Sequence, residues 1–162
     1  SDYNEAIRLK PYKAEFYNNR GIVYRFIGQP KRALDDFNKA ISLKPDYAEP
    51  FNNRGLCHYH LDQPTLAIDD YNKAISLKPR YADYYSNRGN AYIKTGKYQL
   101  AITDFNYAIS IDPDYADAYL NRAIAHFNNG RITLGCLDAK KACDLGNCKI
   151  WEASVRQGKC IQ

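Results

Sequence analysis

Four asparagines, Asn19, Asn53, Asn87 and Asn121, recur at intervals of 34 residues. An Asn amide offers a donor and an acceptor together. A row of them can make paired hydrogen bonds to any group that offers the complementary acceptor and donor. The same row could instead order a helix–helix junction, and the sequence leaves both readings open. Arg20, Arg54, Arg88 and Arg122 keep the interval, as do Asp36, Asp70, Asp104 and Asp138. Equal numbers of opposite charges at one period read as structural ion pairs, because a half-buried Arg without a partner is costly. Whether each Arg pairs within its own repeat or with the preceding one is not decided by spacing.

The nucleophilic and metal-ligating side chains form no comparable pattern. Cys57, Cys136, Cys143, Cys148 and Cys160 are odd in number and contain no CxxC. They read as small, half-buried thiols of a reducing, cytoplasmic compartment. A metal or redox site at Cys143, Cys148 and Cys160 is the alternative, against which stands the tighter paired spacing usual for zinc. His58 and His60 are two apart, so on a helix their side chains diverge by about 200° and cannot chelate one metal. His58 and His126 take the place of Tyr24 and read as packing residues, since no Ser, Cys or Asp motif accompanies them. Without a phosphate loop or a nucleophile with a placed base, catalysis and a cofactor are not expected.

The elements that must position these rows are short helices in pairs. Gly21, Gly55 and Gly89 and the closing Pro45, Pro79 and Pro113 share the interval of 34. Such a period predicts stacked repeats rather than one closed core. In the first full repeat Tyr17, Gly21 and Tyr24 share one face of a helix over 14–27. Ala33, Phe37 and Ala40 share a face of a second helix over 30–43. Gly28 suits a left-handed turn between them, Pro30 the first helical position, and Pro45 stops the second helix. Asp62 replaces Gly28 in the next repeat. Gly21, Gly55 and Gly89 face Ala33, Ala67 and Ala101 in this reading, while the fourth repeat inverts the pair to Ala123 and Gly135. A close helix crossing would require such small residues. The predicted organisation is half a repeat over 1–13, repeats over 14–47, 48–81 and 82–115, a degenerate repeat over 116–147, and a capping helix and tail over 148–162. Trp151 and Val155 are placed to cover the last repeat. The opening on Ser1 in mid-repeat reads as a piece excised from a longer array.

Composition sets bounds on function. The chain has 162 residues, 45% hydrophobic and 25% charged, and no apolar run long enough to cross a membrane. The net charge of +5 is dispersed rather than gathered in a stripe, which argues against a nucleic-acid footprint. An RNA-binding helical repeat therefore stands as a lesser alternative.

The repeating aromatic, small residue and aromatic on the first helix, then Ala, aromatic, Ala and a closing Pro, resembles the tetratricopeptide repeat (TPR) family. The resemblance covers Ala14 to Pro113 in full and the fourth repeat more weakly. It implies an all-α, right-handed superhelix whose first helices line a concave groove that binds a protein or an extended peptide segment, with no small-molecule substrate. On the helical wheel the groove stripe holds Asn19, Asn53, Asn87 and Asn121 with Ile22, Leu56, Asn90 and Ile124, flanked by Asn18, Asn52, Arg25 and Tyr59. One subclass of the family clamps a terminal carboxylate. Its places here hold Asn18, Ile22, Asn53, Asp83 and Asn87, of which only Asn53 matches, and Glu15, Glu49, Asp83 and Asp117 would repel a carboxylate. A subclass with an asparagine ladder is the better likeness, and it implies that Asn19, Asn53, Asn87 and Asn121 grip a peptide backbone bidentately, whatever the side chains of the peptide. The expected role is a protein-interaction scaffold. The alternatives are a substrate-targeting segment of a larger enzyme and self-association through exposed array ends.

Overall fold

The computed structural model describes residues 2–161, which form ten α-helices and no strand. They are α1 (Asp2–Leu9), α2 (Ala14–Phe26), α3 (Pro30–Leu43), α4 (Ala48–His60), α5 (Pro64–Leu77), α6 (Ala82–Lys94), α7 (Tyr98–Ile111), α8 (Ala116–Asn128), α9 (Ile132–Asp144) and α10 (Lys149–Arg156). The chain divides into two compact units, Ser1–Pro79 and Arg80–Gln162. In the N-terminal unit α2 packs on α3 and α4 on α5, α3 lies against α4, and α1 covers α2. In the C-terminal unit α6 packs on α7 and α8 on α9, α7 lies against α8, and α10 covers α9 and α8.

The hairpins follow from their turns. Gly28 has φ +72°, which places it in the left-handed region and ends α2. Its N–H donates to Arg25 O at 3.2 Å and the Gln29 N–H to Tyr24 O at 2.8 Å, so two carbonyls of the last helical turn are satisfied. Asp62 does the same at φ 59°, with Gln63 N–H on His58 O at 2.9 Å. Asp is among the few residues besides Gly that tolerate this conformation. Pro30 and Pro64 then open α3 and α5 where an N–H is not needed.

Packing corrects the reading of the glycines. A methyl group on Gly21 would stand 2.7 Å from Cε1 of Phe37, and one on Gly55 2.7 Å from Cε1 of Tyr71. At Gly89 the obstacle is Phe105, at 2.8 Å. The glycines are thus small because a ring of the second helix lies on them, not because they meet Ala33, Ala67 and Ala101. The fourth repeat has Ala139 where the others have that ring, and Ala123 fits there. Its ring is Phe127 from α8, lying over Gly135 at 2.5 Å. The aromatic has moved to the other helix, and the glycine with it.

The cysteines are also corrected. Cys136 and Cys160 form a disulfide across a sequence separation of 24, and Cys143 and Cys148 another across 5. Only Cys57 is a free thiol, buried against Ala33 and Phe37. The premise of unpaired cysteines fails, and the inference to a cytoplasmic compartment fails with it. The sulfurs of Cys143, Cys148 and Cys160 are held in these bonds and are not a metal site. Both disulfides tie α9 to the chain beyond it, so α10 is fastened as well as packed. No helix among the described residues is long and apolar enough to cross a membrane.

Candidate functional site

The Arg and Asp rows form one node per repeat, which ties each first helix to the second helix of the same repeat. Arg20 donates from Nε and Nη2 to Asp36 at 2.8 and 2.7 Å. Arg54 does so to Asp70, Arg88 to Asp104 and Arg122 to Asp138, with closest contacts of 2.6, 2.7 and 2.6 Å. The ion pairs therefore lie within the repeat. All four carboxylates are buried. The remaining nitrogen reaches the other way: Nη1 of Arg20 donates to Asn4 at 2.8 Å, of Arg54 to Asn38 at 2.7 Å, and of Arg122 to Asn106 at 2.6 Å. Each of these Arg side chains thus links its own second helix to that of the preceding repeat. The sequence reading missed these asparagines, although Asn4, Asn38, Asn72 and Asn106 keep the common interval. Arg20 also lies 5.7 Å from the ring centres of both Tyr17 and Tyr24.

The electrostatics of the node are a contest between burial and the guanidinium. At Asp104 burial pushes the carboxyl up, and the Arg88 guanidinium pulls it down. Arg88 itself is raised, first by its hydrogen bond to Asp104. The two-point contact keeps the pair charged. His126 and His58 sit beside the node, with Nε2 at 3.7 Å from Asp138 and 3.9 Å from Asp70. His58 also has Nδ1 2.8 Å from Gln63 Oε1. Burial lowers His126 below its ordinary value. Among the described residues no group of three or more His, Cys, Asp or Glu could hold a metal ion.

On the first helices of the N-terminal unit, Asn18, Asn19 and Asn53 are brought together. Asn18 is buried, at 3% exposure, and its Oδ1 accepts from Asn53 Nδ2 at 3.0 Å. Its own Nδ2 donates to Asn19 Oδ1 at 3.3 Å and to the Tyr47 hydroxyl at 3.5 Å. Asn53 is therefore engaged in joining α2 to α4, whereas the Asn19 amide nitrogen donates to no described residue. Ile22, Arg25, Asn52, Leu56 and Tyr59 are half-buried around them. In the C-terminal unit Asn87, Asn90, Asn121 and Ile124 are likewise half-buried. The Asn90 and Asn121 side chains hydrogen-bond to no described residue, while Asn87 has a partner.

The four acids expected to repel a carboxylate are occupied. Glu15 meets Lys44 at 3.5 Å, and Glu49 meets Lys78. Asp83 accepts from the Tyr115 hydroxyl at 2.7 Å and Asp117 from Asn147 at 2.8 Å. Glu15 is held below its ordinary value, first by its own backbone N–H at the start of α2; burial opposes this, and Lys44 adds to it. The helix N-terminus and the lysine thus both stabilise its charge.

Stacked hairpins of this size with such a node define a helical-repeat interaction fold. Sequence profiles of the family described as TPR repeat match residues 63–96 and 89–130, and one described as tetratricopeptide repeat matches residues 14–47. The chain belongs to the tetratricopeptide repeat family. A crystal structure of MamA is similar over 91% of this chain and 86% of its own, at 28% identity and TM-score 0.81. The structure of YrrB, described as a TPR protein with an unusual peptide-binding site, shares the fold at 23% identity over 96% of this chain and 80% of its own, TM-score 0.79. So does the first TPR of Spaghetti bound to an HSP90 peptide, at 24% identity over 73% of this chain and 94% of its own, TM-score 0.71. No curated protein sequence matches the chain.

Proposed function

We propose that this protein is an interaction scaffold that holds an extended peptide or protein segment on the first-helix face of its repeats. The observation that supports the reading is the state of the asparagines. Asn19 keeps a free amide donor, and Asn90 and Asn121 keep donor and acceptor, beside the apolar Ile22 and Ile124. Half-buried amides left with hydrogen-bonding capacity are stabilised by a backbone that supplies the complementary groups. Asn53 has the structural share of the row, since it bonds to Asn18. YrrB and Spaghetti show that this fold can hold a peptide; on this chain the reading rests on its own residues.

The test begins with a peptide selected from a random phage-displayed library against the whole protein. Amide shifts in the presence of that peptide should fall on first helices: on α2 and α4 of the N-terminal unit, with the Asn19 side-chain amide among the largest, or on α6 and α8 of the C-terminal unit, with those of Asn90 and Asn121. Shifts confined to α3, α5, α7 and α9 would place binding on the other face and refute the reading.

A further inference from the structure

We propose that the groove of the N-terminal unit carries a subsite for an acidic residue of the bound peptide, built on Arg25, with an apolar neighbour seated on Phe26 and Leu61. This inference rests on the groove reading above and adds to it the chemical class of the partner. The places are not those of the carboxylate clamp.

Arg25 is a half-buried cation without an anion. Its Nε is shut off from solvent and has no hydrogen-bond partner, and no described carboxylate or carbonyl takes a hydrogen bond from its guanidinium. A guanidinium N–H removed from water in this way is destabilising until an acceptor reaches it. The groove acids of this unit do not compensate it, because Glu15 and Glu49 are held by Lys44 and Lys78. Its neighbours on the inner side are the Cys57 thiol and the Tyr71 phenol, both uncharged. Cys57 is pushed up to about 11 by burial, with Arg25 pulling the other way. What keeps the guanidinium in place is the Phe26 ring, 4.6 Å away.

Arg25 and Phe26 line a cavity of about 430 Å³ with Gly28, Cys57, His60 and Leu61. That is within the range of sites that hold small ligands and single side chains. Phe26 is 75% exposed and Leu61 40%, so the cavity has an apolar rim beside its cation. A carboxylate fits the uncompensated charge, and an adjoining apolar side chain fits the rim. An acidic–apolar dipeptide within an extended chain satisfies both.

The probes are N-acetyl-Glu-Phe-amide and its neutral isostere N-acetyl-Gln-Phe-amide, titrated into the whole protein while the Arg25 Nε–Hε resonance is followed. The Glu probe should shift that resonance and the Leu61 amide, and bind about tenfold more tightly than the Gln probe, since a charge-assisted hydrogen bond replaces a neutral one. Arg25→Gln should bring the ratio to about one, and Arg25→Lys should restore part of it. The wild-type probe pair decides the matter even if Arg25→Gln does not fold. Equal affinities, an unmoved Arg25 resonance, or a preference for Glu that survives Arg25→Gln would each overturn the assignment. So would loss of the Arg25 signal with rising protein concentration alone, which would mean that a second copy occupies the cavity. A selected peptide that moves Asn19 and Asn121 but shows no preference for Glu would overturn this subsite and leave the groove reading intact. A Glu preference at Arg25 with no shift at those asparagines would do the reverse.

Discussion

Gly55 lies beneath the ring of Tyr71, so close that a Cβ on Gly55 would stand 2.7 Å from the ring. Tyr71 is fully buried and has no room to withdraw. Gly55→Ala should therefore cost about 1–3 kcal/mol through overpacking. The fourth repeat supplies the control, since Ala123 is tolerated where Ala139 has replaced the ring. In a Tyr71→Ala background the same glycine change should cost less, by a coupling of about 0.5–3 kcal/mol. Denaturant midpoints of the four proteins measure this, and additive losses would show that the ring is not the obstacle.

The node makes unequal demands on its two partners. Asp70→Asn leaves Arg54 without its buried carboxylate and should cost about 3 kcal/mol, the lower end because Arg54 keeps some solvent. Asn38→Ala removes one contact at the rim of the same node and should cost about 0.5–1.5 kcal/mol. Urea titrations rank the two, and equal losses would contradict the assignment of Asp70 as the principal partner.

The disulfides fasten the C-terminal end. Closing the loop between Cys136 and Cys160, 24 residues apart, should contribute about 3–4 kcal/mol, and the shorter link about 2 kcal/mol. Cys136→Ser with Cys160→Ser should lower the melting midpoint and raise amide exchange across Lys149–Arg156 before the rest of the chain. Thiol titration of the unfolded, unreduced protein should find Cys57 alone, whereas five reactive thiols would refute both bonds.

His126 gives a dependence on pH with a definite sign. Burial holds it below 6.5, with Asp138 opposing and Arg122 and Arg131 adding to the burial. As pH falls, the unfolded chain takes up this proton first, so stability is lost below about pH 6.5 and is fully present above it. Tyr occupies the same place in the first repeat, so His126→Tyr should fit and remove the effect. The stability of wild type relative to His126→Tyr should be lower at about pH 5 than at about pH 7. A pH-independent difference would contradict the lowered value.

Much of the fold was legible because the period is repeated in residues of different kinds. Gly28 and Pro30 mark the turns, and even the substitution by Asp62 agreed with its left-handed backbone. The Arg and Asp rows were legible as pairs, but not the partner: Arg54 stands 16 residues from Asp70 and 18 from Asp36 of the preceding repeat, so spacing alone does not decide between them. Gly21 was read against Ala33 because small residues were matched by type, while contact is decided by the large ring that fills the gap. The cysteines misled because Cys57 made the count odd; the four beyond it are an even set, and their pairing depends on the fold of the tail. The hydrogen bond from Asn53 to Asn18 was beyond reach as well, because the sequence places both amides on one helix face without showing which are already engaged.

The role of the unengaged Asn90 and Asn121 is tested by the affinity of a selected peptide for a variant carrying Asn90→Ala with Asn121→Ala. Neither side chain hydrogen-bonds to a described residue in the free protein, so the melting midpoint should be unchanged. Calorimetry should show binding weakened by about 1–3 kcal/mol in total, to a similar degree for selected peptides of different sequence, because the contact is with backbone. A double variant that keeps both its melting midpoint and its affinity would contradict the account.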